Sequence, residues 1–174
     1  YWTDSGNSSV EDGKVYMSNL DGSDAVCALE RGLWDPMGIV LDLRNYTMIL
    51  TDESAGHNGH GAIIKANMAY GPEIWKQKAN DIAYYANRTW WQVILEEYET
   101  LTVGGVDTLH KPYGIVLDTT NDMLYISDSE SGHIIKCDVN GSLGSVVPMT
   151  FMDQGVPMGM ALDNGLGPSQ DRGA

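Results

Sequence analysis

A gapless internal repeat constrains this chain more than any other feature. Pro36-Met-Gly-Ile-Val-Leu-Asp42, Pro112-Tyr-Gly-Ile-Val-Leu-Asp118 and Pro157-Met-Gly-Met-Ala-Leu-Asp163 align residue for residue. Each reads as a short apolar strand, opened by Pro and Gly, closed by Asp, and expected to be buried on both faces. Pro is tolerated at the first position because its missing N–H falls outside the ladder. Sixteen residues after Pro36 stands Asp52, ending Ile49-Leu-Thr-Asp52, and sixteen after Pro112 stands Asp128, ending Tyr125-Ile-Ser-Asp128. The opening Tyr1-Trp-Thr-Asp4 matches both. Self-similarity at fixed spacing marks a repeat architecture.

A third segment follows each of these. Gly13-Lys-Val-Tyr-Met-Ser-Asn-Leu, Gly61-Ala-Ile-Ile-Lys-Ala-Asn-Met and Gly132-His-Ile-Ile-Lys-Cys-Asp-Val align without gaps. The first and third run into Asp21-Gly-Ser and Asn140-Gly-Ser, dipeptides that accept the positive φ of a hairpin turn. The second reaches only Ala69-Tyr-Gly71. Fourth strands are expected at Ala25–Leu29, Thr100–Val103 and from Ser145 through Val147 onward. Four short antiparallel strands per unit, repeated, make an all-β fold built from β-propeller blades.

The PxG(I/M)(V/A)LD strand, the YWTD strand with its ILTD and YISD variants, and the strand ending in DGS or NGS resemble the YWTD propellers of the low-density lipoprotein receptor class B repeat family. The resemblance covers the chain except 72–98 and the tail after 164. It implies six-bladed closure, an extracellular setting and a noncatalytic binding role. NHL-repeat propellers resemble the pattern second best. The resemblance also implies structural roles for Asp4, Asp52 and Asp128, hydrogen-bonded between strands and blades, and the repeat adds Gly38, Gly114, Gly159, Asp42, Asp118 and Asp163. About three blades are present over 1–164. The rest of the ring is expected from further chain, or from a second copy closing head to tail, since an open edge is one that proteins avoid. Neither an initiator Met nor a leader pattern opens the sequence, so a processed form or a piece of something longer is expected.

Residues 72–98 interrupt the second blade between its third and fourth strands. Trp75, Ala79, Ile82, Ala86 and Val93 lie at roughly helical spacing, which predicts a helical insertion there. Its aromatic residues either pack on the propeller rim or form an adhesive surface led by Trp75, Trp90 and Trp91. The tail over 165–174 lacks the next YWTD strand and is expected to be irregular.

Loops entering each first strand and leaving each second strand share one end of a blade. They bring Trp34 with Asp35, Glu53 with His57 and His60, His110 with Lys111, and Glu130 into one candidate binding face. His57 and His60 lack the further Cys or His of a metal site, so no metal ligand is assigned. The pair could instead titrate near pH ~6. No catalytic residue or cofactor is assigned either. There is no G-x-S-x-G elbow and no nucleophile–base pair, and a calcium-dependent lactonase- or esterase-like propeller stands as the third reading.

Charge removes one partner class. Ten basic residues against 24 acidic ones give a net charge of -14, which repels nucleic acid. No apolar run approaches the roughly 20 residues of a membrane-spanning helix. Asn7, Asn45, Asn87 and Asn140 open N-x-S/T sequons, and four in one short chain lean toward a secreted glycoprotein. Cys27 and Cys137 fall two blades apart and are not expected to pair. The leading expectation is an extracellular protein- or ligand-binding module. Its alternative is a self-assembling subunit of a fibre or matrix.

Overall fold

The computed structural model describes residues 1–7, 10–29, 33–53, 61–68, 91–96, 102–103, 106–107, 109–140, 147–149 and 157–162. They form three successive antiparallel sheets, a partial β-propeller. The first sheet holds β1 (Trp2–Asp4), β2 (Lys14–Met17) and β3 (Val26–Leu29). The second runs β4 (Pro36–Asp42), β5 (Thr47–Asp52), β6 (Ala62–Asn67) and β7 (Trp91–Glu96). A two-stranded hairpin of β8 (Thr102–Val103) and β9 (Val106–Asp107) follows. The third sheet runs β10 (Pro112–Asp118), β11 (Met123–Asp128), β12 (His133–Asp138) and β13 (Val147–Met149). Within each sheet the strands pair in chain order, as a blade requires.

The alternation along the strands explains how the sheets stack. In β5 and β6 the residues Met48, Leu50, Ala62, Ile64 and Ala66 point toward the first sheet and form one core with Val15, Met17, Ala28, Leu29 and Leu33. Their neighbours Ile49 and Ile63 point the other way, into a second core with Leu109, Ile115, Leu124, Ile126, Ile135 and Cys137. A strand buried on both faces reads as a continuous apolar run, and β5 is that strand. The β4 and β10 strands, expected to be the fully buried ones, are mostly half-buried. Each is the first strand of its sheet and has a pairing partner on one side.

The repeated glycines and hydroxyls set the distance between sheets. Pro36 pairs with Asp52 and Ile39 with Leu50, so β4 carries one extra residue, a bulge at Met37-Gly38. The same bulge recurs at Tyr113-Gly114 in β10. The Gly38 N–H donates to Thr51 Oγ1 at 2.8 Å, and that hydroxyl donates onward to the Tyr113 carbonyl of the next sheet at 2.6 Å. Thr3 donates to the Met37 carbonyl at 2.6 Å in the same manner. In the third sheet Gly114 N–H donates to Ser127 Oγ at 2.8 Å. A Cβ on Gly38 would stand 2.5 Å from the Tyr113 carbonyl oxygen, so no other residue lets the sheets approach so closely. Gly61 abuts the Pro112 ring in a similar way. Burying an Ile or Leu is worth about 1.5–3 kcal/mol and a hydrogen bond about 1 net, so the cores supply adhesion and the hydroxyls supply register.

Two expectations are corrected here. Trp91–Glu96, placed inside the helical insertion, is the fourth strand of the second sheet, with Ala66 opposite Trp91 and Ala62 opposite Glu96. The run Trp-Gln-Val-Ile-Leu is rich in strand-forming residues, and pairing along β6 outweighs the helical spacing of the flanking sequence. Thr102–Val103, part of the strand expected at 100–103, pairs with Val106–Asp107 instead. The remainder of the proposed helix lies outside the described residues. Of the next first strand, expected at 157–163, residues 157–162 have no strand pairing among the described residues, although the Met158 carbonyl lies close against Gly114. Cys27 and Cys137 sit in different sheets and are not joined by a disulfide.

At the opposite strand ends, Arg44 bridges the β4–β5 and β10–β11 turns. It donates to Asp42 at 3.0 Å through Nε and to Asp122 at 2.8 Å, and also to the Thr119 carbonyl. The Arg44 guanidinium holds the buried Asp42 carboxyl at about 2, helped by the Asn45 amide.

Three outcomes follow. Thr51→Val keeps the shape but orphans the Gly38 N–H and the Tyr113 carbonyl, so it costs about 1–3 kcal/mol in denaturant unfolding. Gly38→Ala overpacks the same contact by a similar amount, about 1–3 kcal/mol, whereas Gly159→Ala, whose Cβ would meet none of the described residues within 4 Å, is close to neutral. The Asp42 carboxyl titrates at about 2 when folded and near ~3.9 otherwise, so its contribution is full above about pH 4 and lost toward pH 2. Arg44→Met is therefore less stable than the parent at neutral pH, and thermal melts converge as pH falls to 2.

Candidate binding face

The face is built by the motif aspartates. Asp52 is fully buried and accepts the N–H groups of Trp34 at 2.8 Å and Asp35 at 3.0 Å. Asp128, equally buried, accepts those of His110 at 2.7 Å and Lys111 at 3.0 Å, and on its other oxygen those of Glu130 and Ser131. A buried carboxylate is tolerated only when so satisfied. Each aspartate thus holds the two residues that lead into its own first strand. The Glu53 N–H donates to the Asp35 carbonyl and the Ser129 N–H to the Lys111 carbonyl, both at 2.9 Å, closing the incoming and outgoing loops on each other.

Side chains then link one sheet to the next. Ser5, in the loop after β1, tempers the upward shift of Asp35 in the second sheet. Glu53 of the second meets Lys111 of the third at 3.2 Å. The Glu53 carboxylate raises the Lys111 ammonium above its ordinary range, with Glu130 and Asp35 adding to the effect. Asp35 is pushed upward by burial first, then by the charges of Glu53 and Asp52. The surface is rigid in its backbone and acidic in its charge.

Of the residues expected on this face, Trp34, Glu53, His110, Lys111 and Glu130 are brought together by these loops. Trp34 and His110 are half-buried, Lys111 and Glu130 exposed. His57, His60, Trp75, Trp90, Asn87 and Asp163 lie outside the described residues, and Trp91 begins β7. Asp4 is exposed, and among the bonds described its carboxylate accepts the nearby Gly6 N–H at 3.2 Å. A Cβ on Gly159 would meet none of the described residues within 4 Å, unlike one on Gly38 or Gly114. Asp42 and Asp118 cap turns at the other strand ends, Asp118 accepting from Thr120 and Asn121. Sequence reasoning overlooked Thr3, Thr51 and Ser127, although a hydroxyl at the third place of all three YWTD-like tetrapeptides was the available signal. Among the described residues no group of His, Cys, Asp and Glu is arranged to hold a metal ion.

No protein-family model matches the sequence, and no curated protein sequence matches it significantly. Solved structures do match. One is a chain from the crystal structure of a nidogen/laminin complex, with a TM-score of 0.55 and 15% identity, covering 84% of this chain and 43% of that one. This chain therefore spans less than half the length of that relative. At such identity the likeness shows the fold, a run of propeller blades.

Because Asp35 titrates above its ordinary range, its ionised form opposes folding at neutral pH and its protonation relieves the strain. Asp35→Asn keeps an oxygen for Ser5 and removes the charge. Its unfolding midpoint should exceed the parent's at pH 7, with the gain shrinking as pH falls through the Asp35 titration in a melt series.

Proposed function

We propose that this chain is part of an extracellular, noncatalytic propeller module that binds a protein partner through the face carrying Trp34, Asp35, Glu53, His110, Lys111 and Glu130. The observation that carries this is the face itself. Buried aspartates fix its loop backbones, and the Glu53–Lys111 ion pair joins it across two sheets. A surface held rigid before binding loses little ordering entropy on binding. Its acidity suits a partner presenting basic groups. Asp35 stays charged there at some expense of stability, as groups kept for binding do. The likeness to a chain from a complex of two proteins, nidogen and laminin, supports a protein as the partner. Four sequons support a secretory route.

A self-assembling subunit is the second reading, favoured by one observation. Trp2, stacked on Tyr16 at 5.6 Å, is 42% exposed at the place where Leu50 and Ile126 are fully buried by a neighbouring sheet. The test uses the native protein to capture partners from extracellular extract, followed by calorimetric titration of the purified partner. Glu53→Gln combined with Glu130→Gln should weaken binding at least about tenfold, roughly 1.4 kcal/mol. Leu20→Ser, at the β2–β3 turn on the opposite strand ends, should leave it unchanged. Equal affinity for all three, or sedimentation showing only concentration-dependent self-association, would transfer the function to the second reading.

A further inference from the structure

We infer that Asn45 carries an N-linked glycan, and that the β4–β5 turn is shaped to support it. The inference rests on the extracellular reading and goes beyond it by selecting one of four sequons from the structure. The molecule contains its own control. The turn Asp42-Leu-Arg-Asn-Tyr-Thr47 and the turn Asp118-Thr-Thr-Asn-Asp-Met123 have the same form. In both, Asp and Asn are tied, Asn45 Nδ2 to Asp42 Oδ2 at 2.8 Å and Asn121 Nδ2 to Asp118 Oδ2 at 2.7 Å. In both, the next residue adopts a left-handed φ, 51° at Tyr46 and 55° at Asp122. Only the first turn is a sequon.

At three positions the sequon turn carries the worse residue for folding. Asp tolerates the left-handed region, but an aromatic residue there is strained by about 1–2 kcal/mol. Tyr46 nevertheless occupies it and is 63% exposed. Leu43 stands 67% exposed where the other turn has Thr119. Thr47 buries its Oγ1 with no hydrogen-bond partner where the other turn has Met123, and an orphaned hydroxyl is costly. One cause accounts for all three. Thr47 supplies the hydroxyl that the sequon needs while the chain is still unfolded. Leu43 and Tyr46 flank Asn45 and offer the first sugar an apolar surface, which the sugar in turn shields from water.

The chemistry is compatible with the folded geometry. In transfer from a lipid-pyrophosphate-linked oligosaccharide, the Asn45 amide nitrogen forms a bond to the anomeric carbon. The bond from that carbon to the phosphate oxygen breaks, the lipid pyrophosphate leaves with the electron pair, and one amide proton is lost to base. The amide has two N–H groups, so one remains for Asp42. Asn45 is exposed, and its turn lies at the strand ends opposite Trp34 and Lys111, so a glycan there leaves the proposed binding face clear.

The test is peptide mapping of the native protein after enzymatic N-glycan removal in heavy-oxygen water, which leaves a labelled aspartate at each occupied site. Label at position 45 in most molecules is expected. An unlabelled Asn45 beside a labelled Asn7, Asn87 or Asn140 overturns this inference and leaves the secretory reading intact. Absence of label at all four overturns both. A second measurement uses chain made without glycosylation. There Thr47→Val should raise the unfolding midpoint by removing the orphaned hydroxyl, and a lower midpoint would overturn the premise that Thr47 is kept for the sequon.

Discussion

The structure depends on a hydroxyl group that the first and second sheets each lend to the sheet that follows. Thr51 accepts the Gly38 N–H that the bulge in its own sheet leaves outside the ladder, then donates to the Tyr113 carbonyl in the bulge of the following sheet. Thr3 does the latter toward Met37. Apolar burial alone is nondirectional and would let two sheets slide by a residue with little loss. The hydroxyl allows no such slide, and a glycine at the contact removes the only atom that would hold the sheets apart. Burial therefore drives the sheets together, while the bridged bulges fix how far and at what register.

From that register follows the placement of everything at the strand ends. Because the first strand of each sheet is fixed, the buried aspartate one residue beyond the hydroxyl can reach back and hold the incoming loop. The loop's backbone is thereby committed to structure while its side chains remain available. Trp34 and His110 occupy equivalent places and differ completely in chemistry, as do Asp35 and Lys111. The repeat specifies the frame, and the variable residues on it specify what can be recognised.

Much of this was legible in the sequence, in proportion to how locally it is encoded. The apolar strands at 36–42 and 112–118, the aspartates at 52 and 128 and the shared loop face follow from periodicity and spacing. The bulges did not, because an extra residue in a strand leaves no mark on an apolar run. With the bulges hidden, the role of Thr51 and Ser127 was hidden too. Trp91–Glu96 was misread because its strand character competes with helical spacing on either side, and only pairing to β6 decides between them. Arg44 was missed because its partners Thr119 and Asp122 lie a whole sheet away in sequence.

Native-state amide hydrogen exchange at Gly38 and Gly114 tests the central claim most directly, because both N–H groups lie outside their strand ladders. If each donates to a buried motif hydroxyl, both amides exchange as slowly as the ladder amides of Leu50 and Ile126. Exchange at Gly38 as fast as at the exposed turn residue Gly22 would contradict the account. The hydroxyl would then not hold the bulge, and the register between sheets would need another cause.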